Sequence, residues 1–153
     1  MQQITNTILM IRPVTFRMNE ETAVNNFFQE KMNLENKEIN AKAQVEFDAF
    51  VEKLRAVGVQ VIVEDDTLEL DAPDSIFPNN WVSFHENGSV VLYPMFAENR
   101  RRERREEILI RLEKEGFIIK DIIDYTTAED EELYLEGTGS LLLDRVNQKT
   151  YCA

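Results

Sequence analysis

The sequence predicts an α/β fold made of a repeated strand and helix unit. Apolar runs of strand length alternate with stretches of helical period along the 153 residues. The chain is also internally repetitive: residues 54–59 line up with residues 112–117 at an offset of 58 residues. Asp74 precedes one predicted hairpin and Glu136 precedes the next, at an offset of 62 residues. Repetition of this kind is typical of architectures that stack one supersecondary unit.

The first unit is predicted over about residues 8–64. Apolar residues at three- and four-residue spacing predict an amphipathic helix that Gly58 ends. Short apolar runs on either side of it predict strands. The predicted elements are a strand at residues 8–11, a loop with a helical turn at 18–36 anchored by Phe27 and Phe28, a helix at 38–57 and a strand at 59–63.

The second unit, about residues 74–124, is predicted to begin with a hairpin, because Asn87-Gly88 tolerates positive φ between two apolar runs. The third, about residues 136–153, is predicted as a further hairpin and is incomplete. The predicted elements are strands at 81–85 and 90–94, a helix at 100–115, a strand at 117–123 and a hairpin from 139–144 and 149–152. We expect one partial domain over residues 1–153, with an unpaired edge or apolar face that a partner covers.

Composition disfavours several classes of protein. Twenty-nine acidic and seventeen basic side chains give a net charge of −12, which repels polyanions and favours small cationic or zwitterionic ligands. No signal peptide is recognisable, and no apolar run approaches the roughly 20 residues of a membrane span. The single cysteine, Cys152, cannot form an internal disulfide. We therefore expect a cytoplasmic protein with no nucleic-acid or membrane partner. Because no metal-ligand cluster or nucleotide motif is present, we expect no cofactor.

Two polar segments are candidates for a ligand site. Residues 74–81 place a carboxylate and two amides beside Phe77 and Trp81, a set that suits a planar group with several donors. The alternative is an ordinary turn with Trp81 in the core. In residues 135–140, two glycines let the backbone pass close to a ligand beside Glu136; the alternative is a tight turn with a solvated Glu. Because equivalent loops of repeated units converge, we expect both acidic loops to face a common axis.

These segments carry a resemblance to a known family. The residues that carry it are Ile11-Arg12-Pro13, Glu21-Thr22-Ala23-Val24-Asn25-Asn26, residues 74–81, Tyr93-Pro94-Met95, residues 99–105 and residues 135–140. The chain resembles the guanidino-group modifying enzymes of the five-bladed α/β propeller, or pentein, fold. It looks most like the citrulline-utilisation hydrolases, often labelled amidinotransferase-like, with dimethylarginine dimethylaminohydrolases as more distant relatives. The resemblance implies about two and a half of five ββαβ units.

The resemblance also implies roles for particular residues. In that family a cysteine thiolate attacks the guanidino carbon, a histidine protonates the departing amine, and a carboxylate orients the histidine. Glu136 matches the orienting carboxylate, Asp74 matches a substrate contact, and Asn80 occupies the position of a second, guanidinium-binding Asp. Arg101 and Arg145 match arginines that hold the α-carboxylate of an amino acid.

Two departures from the family pattern concern the substrate. Asn79 and Asn80 replace the Glu-Asp pair of the dimethylarginine enzymes, and Gly139 replaces an Asp. An amide can donate to a carbonyl oxygen as well as accept from N–H groups, whereas an anionic cage suits a cation. We therefore hypothesise a neutral ureido substrate such as citrulline.

A third departure concerns the reacting groups. The family's histidine and nucleophilic cysteine match positions beyond Ala153. Cys152 and His85 do not match them; the first is predicted as a structural strand residue and the second as a surface histidine. In the arginine run, only Arg101 is assigned to the site. Arg102, Arg104 and Arg105 are predicted to form a solvated helix face paired with glutamates.

These inferences lead to one expectation and two alternatives. We expect the N-terminal half of a cysteine-dependent hydrolase of guanidino or ureido C–N bonds, inactive alone, that acts on a small amino acid. Its expected partner is a separate C-terminal half or a second copy. The alternatives are a truncated, non-catalytic remnant and a small α/β ligand-binding or interaction domain whose acidic loops are ordinary turns.

Overall fold

A computed structural model describes residues 3–24, 26, 29–30 and 33–152. The chain divides into two units, Thr5–Pro78 and Asn79–Ala153 together with Met1–Ile4. The three predicted ββαβ repeats and the single partial domain stay predictions. Four residues named in the sequence analysis lie outside the described residues: Asn25, Phe27, Phe28 and Ala153.

The unit Thr5–Pro78 contains a strand–helix–strand crossover. Strands β1 (Thr7–Arg12) and β2 (Gln60–Asp65) pair in parallel, and helix α1 (Asn36–Ala56) connects them. A parallel pair requires such a long connection, because a tight turn can only join antiparallel strands. The predicted strand, helix and strand are confirmed, and Gly58 follows the helix with φ +88°.

The core of this unit lies between α1 and its sheet. Phe47 and Val51, four residues apart on α1, pack against Val61 of β2. Ile8 and Met10, alternate residues of β1, pack against the same cluster. A four-residue period on the helix and a two-residue period on the strand each present one apolar face, which is what the sequence pattern predicts.

The unit Asn79–Ala153 contains a complete ββαβ motif. Strands β3 (Val82–Phe84) and β4 (Ser89–Leu92) form the predicted hairpin, and β5 (Asp121–Asp124) pairs in parallel with β4. Gly88 turns the hairpin with φ +89°. Trp81 is buried immediately before β3.

The prediction of one helix over residues 100–115 is wrong. A short helix α2 (Glu98–Arg101) ends before the longer α3 (Glu106–Lys114), and Arg105 between them has an extended backbone with φ −108°. Buried charge explains the break: Arg105 is buried, and Arg104 turns inward to an acidic partner described below. The predicted solvated helix face is therefore wrong for Arg104 and Arg105. Arg102 is exposed, as predicted, but it lies in the turn after α2 and not on a helix.

The predicted hairpin of the third unit is confirmed. A short helix α4 (Gly137–Ser140) leads into β6 (Leu141–Asp144), which pairs antiparallel with β7 (Lys149–Cys152). In the turn, Asp144 accepts hydrogen bonds from the backbone N–H and the side-chain amide of Asn147, which lowers the Asp144 pKa. Leu142 and Tyr151 are exposed, so the predicted apolar exposure of this hairpin is confirmed.

The described strands form three small sheets of two, three and two strands, and none of the three is closed. The mixed α/β class is confirmed, while the propeller arrangement stays a prediction. Within the described ranges, no helix is long and apolar enough to cross a membrane.

Candidate functional site

Glu136 is the centre of a hydrogen-bonded cluster in the unit Asn79–Ala153. It lies directly before α4, and its side chain is 21% exposed. Oε2 accepts a hydrogen bond from Asn80 Nδ2 at 3.1 Å, and Oε1 accepts one from the Phe96 backbone N–H at 3.1 Å. Arg100 Nη1 lies 3.5 Å from Oε2. The tight turn of the alternative is present, but its solvated Glu is wrong, because both carboxylate oxygens accept hydrogen bonds.

Two glycines make this cluster possible. Gly137 has φ +37°, and a Cβ at this position would collide with the backbone oxygens of Asn79 and Asn80. Glycine is favoured there because it accepts the left-handed region and the close backbone approach. A Cβ at Gly139 would collide instead with the Asn80 side-chain amide. The Gly139 and Asn80 departures are thus coupled, since the glycine leaves the space through which the amide reaches Glu136.

A buried ion pair lies behind Glu136. Arg100 donates through Nε and Nη2 to the two carboxylate oxygens of Glu103 at 2.9 and 3.0 Å. The side chains are 5% and 1% exposed. This two-bond geometry leaves Nη1 directed at Glu136, so one guanidinium contacts both carboxylates.

A second acidic group, Glu129, fixes the chain after β4. Its Oε1 accepts a hydrogen bond from the Met95 N–H at 2.8 Å, and Arg104 binds both of its oxygens.

Arg101 contacts the same acidic group, with its Nε 3.3 Å from Glu129 Oε2. It donates to the Met95 and Phe96 carbonyl oxygens at 3.0 and 3.4 Å. Its guanidinium also lies over the ring of Tyr134. The Phe96 N–H donates a hydrogen bond to Glu136. Arg101 and Arg104 therefore hold the stretch of backbone that positions Glu136.

Arg145 lies in a different environment. Its Nη1 lies 3.1 Å from His85 Nδ1, His85 Nε2 lies 3.0 Å from Ser83 Oγ, and Ser83 Oγ lies 2.8 Å from the Tyr93 hydroxyl. His85 is partly buried, so its prediction as a surface histidine is wrong. Burial and, second, the Arg145 charge lower the His85 pKa below its usual 6.5.

Arg145 also lines an open cavity of about 670 Å³ beside the β6–β7 hairpin. Thr138, Ser140 and Tyr151 contribute to its wall, and Cys152 lines it too. Cys152 lies on β7, as the predicted strand residue, and it is exposed.

Asp74 belongs to the unit Thr5–Pro78 and is buried there, with 7% exposed. Its Oδ2 accepts hydrogen bonds from Asn19 Nδ2 at 2.7 Å and from Thr22 Oγ1 at 3.2 Å. Gln29 donates to Thr22 Oγ1 at 2.7 Å and accepts from the Asn19 N–H at 3.2 Å. Asn19 is fully buried. Asp74 is thus held by a side-chain network and not by the turn alone.

The structure brings two of the five assigned site residues, Asn80 and Glu136, into direct contact. Arg101 and Arg145 have separate partners, and a common axis for Asp74 and Glu136 stays a prediction. Sequence reasoning missed Arg100, Glu103, Glu129 and Asn19 as contributors. The i,i+3 spacing of Arg100 and Glu103 was a usable signal, whereas nothing local marks Glu129, 25 residues from Arg104. Among the described residues, no group of three or more His, Cys, Asp or Glu side chains could hold a metal ion.

Comparison with known structures supports the fold class. The chain superposes on an unliganded arginine dihydrolase of the cyanobacterial ornithine–ammonia cycle, ArgZ (TM-score 0.57, 17% identity, 95% of this chain and 18% of that one). It also matches the N-terminal domain of an ArgZ variant bound covalently to a reaction intermediate (TM-score 0.61, 17% identity, 95% and 47%). A third match is AgrE in complex with ornithine and NAD+ (TM-score 0.60, 19% identity, 97% and 20%).

A family-model match over most of the chain, together with these superpositions, identifies it as a member of the guanidino-modifying pentein superfamily. Within it, residues 12–153 match the family model described as N,N dimethylarginine dimethylhydrolase, eukaryotic, and the chain belongs to that family. No curated protein sequence matches the chain. The chain spans 18% of the full ArgZ chain and about half, 47%, of the ArgZ N-terminal domain structure.

Proposed function

We propose that this chain supplies the carboxylate and amide side of an active site that hydrolyses a guanidino or ureido C–N bond. The substrate is an arginine-like amino acid, and we favour citrulline. The observation that carries the proposal is the hydrogen bond from Asn80 to Glu136, in space that Gly139 leaves open. It joins two residues that the family resemblance assigns to one site.

In this proposal Glu136 orients the histidine that protonates the departing amine. Both of its oxygens already have donors. The Phe96 N–H donates to Oε1, and Asn80 and Arg100 contact Oε2. These bonds fix the carboxylate plane while an accessible fraction of the side chain remains for an imidazole N–H. A fixed carboxylate selects one tautomer and one orientation of the histidine ring.

Asn80 sets the substrate preference. Because its Nδ2 donates to Glu136, its Oδ1 is directed away as an acceptor for a substrate N–H, and it carries no charge. The nearby Arg100 charge also offsets that of Glu136. A neutral ureido group needs acceptors for its N–H groups and no net anion, whereas a guanidinium gains from a carboxylate at this position. These features favour citrulline over arginine.

Arg145 is the better placed of the two arginines proposed to hold the α-carboxylate. Arg101 already donates to two carbonyl oxygens and lies beside Glu129, so a substrate carboxylate would compete with those contacts. Arg145 faces an open cavity and its side chain bonds a neutral acceptor. Asp74 keeps its proposed substrate contact, with Asn19 and Thr22 holding the carboxylate in place.

The nucleophile and the proton donor are proposed to come from residues outside this chain, either a C-terminal half or a partner chain. The one histidine and the one cysteine of the sequence are given other roles. The proposed half-enzyme and its two alternatives differ in whether mixing with a C-terminal half produces activity. A half-enzyme hydrolyses citrulline only with its C-terminal complement; a remnant or an unrelated binding domain stays inactive with it.

The test is citrulline and arginine hydrolysis by this chain, alone and mixed with a C-terminal half from a family member. Asn80→Asp is expected to move the preference toward arginine, because it restores an anion at the guanidino group. Asn79→Asp adds the same charge one residue away and is the matched control. Equal effects of both variants, or a wild-type preference for arginine, would contradict the citrulline assignment.

A further inference from the structure

We propose that Arg145 and His85 form a proton-linked anion site, which binds the carboxylate of a small ligand more tightly when His85 carries a proton. The inference rests on the proposed function, in which Arg145 holds the α-carboxylate, and it adds the regulation of that contact. His85 is neither a nucleophile nor the proton donor here; it acts through Arg145 and is a positioning residue.

The contact between the two side chains fixes the protonation of the imidazole. A guanidinium only donates hydrogen bonds, so His85 Nδ1 must accept from Arg145 Nη1 across 3.1 Å and cannot carry a proton. The ring proton is then on Nε2, 3.0 Å from Ser83 Oγ, which in turn lies 2.8 Å from the Tyr93 hydroxyl. The Ser83 contact suits the neutral and the protonated ring equally. Protonation therefore changes only the side of the ring that faces Arg145.

Arg145 differs from three other arginines of its unit. Arg100, Arg101 and Arg104 each lie within ion-pair distance of a glutamate. For Arg145, by contrast, no ion pair with a carboxylate occurs within the described part of the chain. Its guanidinium lines a cavity of about 670 Å³, in a chain with net charge −12. A cation without an internal counter-charge, beside an open cavity, is suited to an external carboxylate.

The sign of the coupling follows from the charges that face His85. Ser83 of β3 and Tyr93 after β4 present neutral hydroxyls, and the β6–β7 turn presents the Arg145 cation. Adding a proton to His85 places two cations side by side and removes the Arg145 hydrogen bond. A carboxylate that binds Arg145 relieves this repulsion. Protonation must then strengthen anion binding, and by reciprocity anion binding must raise the His85 pKa.

The single histidine makes the test direct. NMR titration of the imidazole in the full chain gives the His85 pKa with and without formate, which stays ionised over the range. Formamide, at the same ionic strength, is the neutral control. The expected result is a higher His85 pKa in formate and no shift in formamide. In Arg145→Gln the pKa rises without ligand and formate no longer moves it. Lys149→Gln removes one charge from an exposed position of β7 and is expected to behave as wild type.

The outcomes separate this inference from the function it rests on. If formate perturbs the Arg145 signals but leaves the His85 pKa unchanged or lowers it, carboxylate binding stands and the proton linkage is overturned. If formate perturbs neither residue, the carboxylate role of Arg145 fails and the linkage fails with it. As a second variant, His85→Asn keeps an acceptor for Arg145 without a titratable ring, so its formate affinity is expected to lose its pH dependence. Retained pH dependence in this variant would also overturn the linkage.

Discussion

Asp74 and Glu136 line up in the predicted sequence repeat, yet their surroundings differ. Asp74 is buried in the unit Thr5–Pro78, and the donors to its Oδ2 are the neutral side chains of Asn19 and Thr22. Glu136, in the other unit, is 21% exposed and lies 3.5 Å from the Arg100 guanidinium. The two carboxylates that line up in the predicted repeat therefore have different chemical environments.

The difference suggests different uses for the two groups. A buried carboxylate held by short, neutral hydrogen bonds is fixed in place, since any movement leaves polar atoms unsatisfied. A partly exposed carboxylate whose cationic neighbour is shared with another acid can form a new bond at little cost. Glu136 is therefore suited to a changing partner such as a histidine, and Asp74 to a rigid contact.

The largest expected effect on the free energy of unfolding comes from Arg100, which contacts both Glu103 and Glu136. Glu103→Gln removes the buried partner that binds Arg100 through two hydrogen bonds, and we expect a loss of about 3 kcal/mol in the free energy of unfolding. The matched control is Asp48→Asn, which breaks the equally short but exposed Arg12–Asp48 pair and is expected to cost less than about 1 kcal/mol. Urea denaturation measures both. Equal losses would mean that burial does not distinguish the two pairs.

The next effect compares the two asparagines that donate to the two acids. Asn19→Ala leaves the buried Asp74 short of a donor, and we expect it to lower the free energy of unfolding by about 2 kcal/mol. Asn80→Ala removes the corresponding donor to the partly exposed Glu136 and is expected to cost less than about 1 kcal/mol. The same urea titration checks both. A larger loss for Asn80→Ala would reverse the contrast between a fixed and an adaptable carboxylate.

A smaller contrast lies within the Glu136 loop. Gly137→Ala forces a side chain into the left-handed region and against two backbone oxygens, with an expected cost of roughly 2 kcal/mol. Gly139→Ala meets only the movable Asn80 amide, so we expect a loss within about 1 kcal/mol. It should nevertheless displace Asn80 from Glu136, which the side-chain amide NMR signals of Asn80 report. An unchanged Asn80 signal in Gly139→Ala would contradict the coupling of these two positions.

Much of the fold could be predicted because it depends on local pattern. The period of apolar residues in α1, the Asn87-Gly88 turn and the apolar strand runs each act within a few residues. The break between α2 and α3 could not be predicted this way. It depends on Arg104 reaching Glu129, 25 residues further along the chain, and helical periodicity carries no information about that contact.

The site was predictable only in part, for the same reason. Asn80 and Glu136 were assigned through family motifs, and their direct contact is present across 56 residues. The neighbouring Arg100 appeared as one arginine among several in a charged run. The His85–Arg145 contact spans 60 residues and involves two side chains with no shared motif. Such pairings arise from strand packing, so a linear reading of residue types cannot identify them.

The smallest expected effect is the contribution of His85 to the pH dependence of stability. It extends the comparison from the two carboxylates to an imidazole that contacts the cation Arg145. The His85 pKa is lowered in the folded chain, so below about pH 6.5, its usual value, the unfolded chain binds the proton more readily. Stability should therefore fall as pH drops below that value and level off once the folded form also takes up its proton. Thermal or urea unfolding of wild type and His85→Asn, from about pH 8 to about pH 5.5, isolates this contribution. The difference between the two proteins should shift in favour of the variant as pH falls, because only the wild type must give up the Arg145 contact. A difference that stays constant over this range would mean that the imidazole titrates alike in both states.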